Sequence, residues 1–234
     1  MLLALACLPG AAQDLKTVRS PDGKVEFRIF LANQDDTALF RLAYDVTYGG
    51  KQLLDTSFMG FDIWEQEPLL GENVGMTGSS LEAKPDYNGF RGRYLQNGSL
   101  GRSFEVEARV YNSGIAFRYH LLKSMPMAEL FISEETTEFS VGIPVPETAD
   151  VPFRAERPGV GWLEISEVPK PGFPGMSLGK SADTALVSRL SRTSGKLRYV
   201  YAGVTPTTGP WRILAVAPSK DALASASLKV QLRQ

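Results

Sequence analysis

Apolar and polar residues alternate with a period of two along most of this chain. In "KVEFRIFL" the residues Val25, Phe27, Ile29 and Leu31 share one face, and Glu26 and Arg28 occupy the other. Successive side chains of a strand point to opposite sides, so the pattern predicts strands with one buried face and one wet face. "SFEVEARVYNSGIAFRYHL" carries it twice, through Phe104, Val106, Ala108 and Val110, then through Ile115, Phe117 and Tyr119. Between these runs "YNSG" has the chemistry of a tight hairpin turn, because Asn112 and Gly114 tolerate positive φ. Strand-like runs recur from Leu39 to Tyr48, from Phe58 to Trp64, and in "TALVSRL", "KLRYVYAG" and "WRILAVA". Turn signals "SPDGK", "YGGK", "QNGS" and "TSGK" separate many of them. One helix start stands out: in "PSKDALASA", Ser219 is placed to cap a short helix ahead of a final strand, "SLKVQL". The stretch from Leu69 to Pro85 lacks periodicity and reads as a long surface loop.

Strands with one apolar face each must bury those faces against one another, which two packed sheets accomplish. The expected fold is all-β: one large sandwich of antiparallel strands over residues 13–234, with at most one or two short helices. The 22 Gly and 15 Pro suit many strands and turns better than a helical bundle, and 43% hydrophobic with 22% charged residues is ordinary for a globular protein. A net charge of −1 leaves no basic footprint for nucleic acid. Residues 1–12 differ in character, with an apolar run from Leu2 to Leu8 followed by small residues. They read as the remnant of a secretory signal peptide cleaved after Ala12, too short to span a bilayer. Cys7, the only cysteine, lies inside it, so the mature protein has neither disulfides nor thiolate sites. Export to a bacterial periplasm or beyond is the expectation.

Candidate chemistry is sparse. The single histidine, His120, sits on the polar face of its strand beside Arg118, where an ordinary surface or half-buried role is the reading; no "GxSxG" elbow accompanies it. "ISEETTEF" offers Glu134, Glu135 and Glu138, which read as solvated loop acids, with Glu134 and Glu135 on opposite faces. Glu105 and Glu107 are expected to line a solvated sheet surface. The sequon at Asn97 is explained by an Asn-Gly turn, and phosphate-binding glycine loops are absent. Trp64, Tyr87, Phe90, Trp162 and Trp211 either stack on sugar rings or fill the core, and the sequence leaves both open. Glu167 is placed more pointedly, at the end of the strand "GWLEISEV" and ahead of a loop stiffened by Pro169, Pro171 and Pro174. Glu164 lies on the opposite face, so Glu167 acts singly, and a lone carboxylate cannot supply the six to eight oxygens that calcium takes.

Five segments in order, "SPDGKVEFRI", "DYNGFRGRYLQNGSLGRSFEVEARVYNSGIAFRY", "EETTEF", "ISEVPKPGFPGMSL" and "GPWRILAVAPSKDAL", resemble the N-terminal domain of glycoside hydrolase family 97, the secreted bacterial α-glucosidases and α-galactosidases. The resemblance covers nearly everything after residue 18. It implies a β-super-sandwich of the galactose-mutarotase kind, followed by a catalytic (β/α)₈ barrel that this chain does not contain. It further implies a calcium ion at the substrate site, ligated mostly from the barrel and by one glutamate of the N-terminal domain, just ahead of a Tyr-Pro-x-Met-x-Leu motif. Here that motif reads "FPGMSL", with Phe173 in the tyrosine position, and the glutamate is Glu167. On this resemblance the chain holds no catalytic residue of its own. Its substrates would be α-linked oligosaccharides and its partner the barrel, whose paired carboxylates act on the glycosidic bond. The alternative is a free-standing carbohydrate-binding module, which requires exposed aromatics forming a platform.

Overall fold

The structure, a computed structural model, describes residues 13–33, 39–98, 101–192 and 198–225, together with Leu228 and Leu232. The chain opens with β1 (Gln13–Arg19), β2 (Val25–Asn33), β3 (Phe40–Tyr48), β4 (Lys51–Phe58), β5 (Phe61–Ile63), β6 (Gln66–Leu70) and β7 (Val74–Ala83). There follow β8 (Tyr87–Gln96), β9 (Ser103–Tyr111), β10 (Gly114–Leu121), β11 (Glu129–Glu135), β12 (Glu138–Ser140) and β13 (Thr148–Ala149). The last third holds β14 (Phe153–Arg157), β15 (Gly161–Val168), β16 (Met176–Ala182), β17 (Ala185–Leu190), β18 (Tyr201–Val204), β19 (Thr207–Thr208), β20 (Trp211–Ala217) and the helix α1 (Lys220–Ser225).

Among the described residues these strands form three antiparallel sheets. The first runs in the order β1-β2-β3-β4-β12-β17-β16-β13, and the second in the order β14-β15-β20-β10-β9-β8-β7, with β19 added beside β10. A smaller sheet, β18-β11-β5-β6, flanks them. The apolar face of each strand meets its counterpart in one core cluster. Phe27, Ile29 and Tyr44 of the first sheet and Val106, Phe117 and Leu214 of the second are all fully buried there. Tyr44 and Phe117 touch across the two sheets with ring centroids 5.2 Å apart. This is a β-sandwich, and every apolar residue of the alternating faces in "KVEFRIFL" and in the β9–β10 hairpin is buried, although the opposite face of β9 is largely covered as well. The other face of the second sheet is capped in part by α1, whose Leu223 packs with Ile213, Ala215 and Ala217. Ser219 Oγ accepts the Ala222 N–H at 3.3 Å, the expected cap. No helix among the described residues is long and apolar enough to cross a membrane.

Two expectations change. The segment from Leu69 to Pro85 is no loop: most of it is β7, ten residues paired with β8. As an edge strand β7 is exposed on both faces beyond its first three residues, so it had no buried side to impose alternation. Among the described residues of "KLRYVYAG", only Tyr201–Gly203 enter a strand, the short β18. "TSGK", most of "SLKVQL" and the signal-like start lie outside the described residues.

Candidate functional site around Glu167

β15 pairs with β20 so that Glu167 stands directly opposite Arg212. Both side chains share the core-facing side of the sheet, since Glu167 continues the Leu163 and Ile165 side and Arg212 that of Leu214 and Val216. A third charged residue reaches them from the small sheet. In β11, Leu130 and Ile132 face the core, and the pairing with β5 then shifts register between Ile132 and Glu134. That bulge brings the odd-numbered Glu135 onto the inner face, where simple alternation would have put an even-numbered residue.

The three groups form one ionic cluster at the end of the sandwich. Arg212 Nε donates to Glu135 Oε1 at 2.9 Å, and Nη2 donates to Glu135 Oε2, a two-pronged pairing. Arg212 Nη1 donates to Glu167 Oε2 at 2.5 Å. The other oxygen, Glu167 Oε1, accepts the backbone N–H of Met176 at 2.9 Å, which ties the end of the proline loop to the carboxylate. The side chains of Arg212 and Glu135 are each 1% exposed, whereas that of Glu167 is 10% exposed. Charges so deeply buried are tolerated because the forked geometry satisfies them together. Burial by itself would lower the Arg212 pKa, but Glu135 and then Glu167 outweigh it and hold the guanidinium above its ordinary value. Two carboxylates and one guanidinium leave the cluster with a net charge of −1.

Glu167 is therefore held by its own chain, although the sequence placed it alone. Arg212 could have been noticed as the single charge inside the apolar run "WRILAVA". Glu135 was in view but read as solvated; it is buried, and Glu134 likewise lies in β11 and accepts the Leu190 N–H at 2.7 Å. Glu134 and Glu138 both have pKa values raised by burial. Glu164 points away from the cluster and pairs with Arg154. Glu105 and Glu107 are also buried, at 8% exposure each, beneath the arginines of the neighbouring strands. His120 is half-buried, between Glu107 Oε2 at 2.8 Å and Thr208 Oγ1 at 3.1 Å.

The aromatics do not make a platform. Phe90 and Trp211 are buried, the latter beneath the guanidinium groups of Arg109 and Arg118. Trp162 packs against α1's cluster, Tyr87 against Tyr111, and Trp64 meets Phe131 and Tyr199 at steep interplanar angles of 87° and 47°.

Whether Glu167 suits a calcium ion depends on its remaining lone pairs. Each carboxylate oxygen spends one of its two lone pairs on a donor, which leaves one lone pair on each with which to meet a cation. No three His, Cys, Asp or Glu side chains gather into a metal-holding group among the described residues. The donor set fits one ligand of a shared site, not a self-contained site.

Two face-packed antiparallel sheets, with an ionic cluster at one end, define a β-sandwich domain. The glycosyl hydrolase 97 N-terminal family profile matches residues 18–149, and the chain belongs to that family. A retaining α-galactosidase from Bacteroides thetaiotaomicron is 28% identical over 162 residues, which is 65% of this chain and 22% of that enzyme. Among solved structures, a glycoside hydrolase family 97 enzyme in complex with panose, from Pseudoalteromonas sp. strain K8, superposes with a TM-score of 0.78 at 17% identity. The match covers 94% of this chain and 38% of that one. A β-arabinopyranosidase superposes with a TM-score of 0.68 at 21% identity, covering 88% of this chain and 40% of that one. At these identities the superpositions establish the fold. The chain spans about a fifth of the length of the curated relative and roughly two-fifths of the solved ones.

Proposed function

We propose that this chain is the N-terminal sandwich of an exported bacterial α-glycosidase and works with a (β/α)₈ catalytic barrel on α-linked oligosaccharides. In this reading Glu167 donates one carboxylate ligand to a calcium ion whose other ligands come from the barrel. The general acid, base or nucleophile belongs to the barrel as well. The observation that carries the proposal is the family match over residues 18–149, joined to relatives that are glycoside hydrolases. The geometry of Glu167 supports it: a carboxylate near the end of β15, fixed at both oxygens by one donor each and still 10% exposed. When bound, calcium would supply a fixed positive charge that orients a sugar hydroxyl. The chain's own part is to aim and immobilise the ligand, through the Met176 N–H and the Arg212 guanidinium. A free-standing sugar-binding module is the weaker reading, because the five candidate aromatics are buried, packed against neighbours or steeply tilted.

Calcium titration by calorimetry on a polypeptide carrying both sandwich and barrel tests the proposal. Glu167→Gln is expected to weaken calcium affinity by roughly tenfold or more, as loss of a charged ligand should cost at least what loss of an outer-shell partner does. Unchanged affinity would remove Glu167 from the site. Hydrolysis of an aryl α-glucoside or α-galactoside by this chain on its own would overturn the assignment of catalysis to the barrel.

A further inference from the structure

We propose that Glu135, by balancing Arg212, preserves the negative charge of the carboxylate that Glu167 offers to a cation, so that Glu135 is a charge-balancing residue of the calcium site. The inference rests on the reading of Glu167 as a calcium ligand. Its starting point is that Arg212 alone would defeat that role. A guanidinium directly opposite Glu167, with Nη1 2.5 Å from Oε2, forms a neutral pair with it, and a neutralised carboxylate is a poor partner for a hard cation.

Glu135 reverses the balance. It occupies Nε and Nη2 of Arg212, leaving only Nη1 for Glu167, and its negative charge returns the cluster to a net −1. Because Glu135 and Arg212 are each 1% exposed, water screens their charges little, and a carboxylate that never touches the ion is still felt at its site. The β11 bulge that turns Glu135 inward is thus the feature that completes the cluster.

A charge-swap series read by calcium calorimetry and by the calcium-dependent shift in Tm, on the polypeptide carrying sandwich and barrel, separates this role from simple scaffolding. Glu135→Gln should weaken calcium binding about tenfold, in the range that outer-shell partners of a metal site command. Glu135→Asp keeps the charge and should stay within about threefold of wild type. The double variant Glu135→Gln/Arg212→Gln removes the buried pair, a replacement folds often tolerate, and restores −1 at Glu167, so it should recover most of the affinity lost by Glu135→Gln. Should Glu135→Gln alone fail to fold, the Asp and double variants still decide: near-wild-type affinity in both supports the inference, and tenfold loss in both overturns it. If Glu167→Gln loses affinity while Glu135→Gln does not, the inference falls and the calcium reading stands. If Glu167→Gln loses nothing, both fall.

Discussion

At Glu107 three arginines and a histidine converge on one carboxylate. Arg91 Nη2 lies at 3.1 Å, Arg109 Nη2 at 3.2 Å, Arg118 Nε at 2.9 Å and His120 Nε2 at 2.8 Å. Burial would raise its pKa, but the His120 hydrogen bond and the Arg118 and Arg109 charges prevail and bring it down to about 2 from an ordinary 4.5. A depressed folded-state pKa stabilises the fold above the unfolded value and is lost as pH falls through the folded one, so the window runs from about pH 4.5 to about pH 2. That interval corresponds to stabilisation on the order of 3 kcal/mol at neutral pH. In thermal melts across this window the wild-type Tm should fall more steeply than that of Glu107→Gln, which starts lower at pH 7. Parallel curves would show that the network contributes nothing linked to this proton. The sequence displayed Glu107 on an alternating strand but not what lies over it, because its partners come from β8 and β10 as well as from its own strand.

In the β9–β10 hairpin one glycine decides whether the element can sit in the sheet. Gly114 has φ of +138°, and a Cβ there would lie 2.2 Å from the carbonyl oxygen of Leu214 in β20. Gly98 also has a positive φ, +109°, but a Cβ on it would meet nothing within 4 Å. Gly114→Ala should therefore cost about 2–4 kcal/mol and Gly98→Ala about 1 kcal/mol, the second being backbone strain alone. Denaturant melts of the two variants check the difference, and equal losses would mean that β20 gives way without cost. The turn was legible in "YNSG", but the clash is not, since Leu214 lies a hundred positions further along the chain. β7 shows the converse: with no buried face beyond its start, it left no periodic trace to read.

Across the whole molecule, the two large sheets are tied by Arg157 of β14, which grips Asp55 of β4 with both Nη atoms at 3.1 Å and donates to the Val141 carbonyl at 2.7 Å. Gly142 makes room for it, since a Cβ there would fall 1.6 Å from Arg157 Nη1. Gly142→Ala should thus act largely by expelling Arg157. In an Arg157→Ala background its cost is expected to shrink by about 1 kcal/mol or more, a coupling that a double-mutant cycle of thermal melts measures directly. Additive losses would show that the arginine finds another route between the sheets.

Alternation, turn residues and a capping serine determined that this protein is all-β, that its strands bury an apolar face, and where the β9–β10 hairpin and the cap of α1 fall, because those features depend on residues close in sequence. It also set Glu167 at the end of β15, ahead of a proline-stiffened loop. Tertiary structure alone decided that Glu167 is not a solitary acid: Arg212 reaches it across a β-ladder and Glu135 across a bulge from a different sheet. A buried charge is stable only where its counter-charges converge in space, and the spacing of residues along a chain does not record which distant strands the packing brings together.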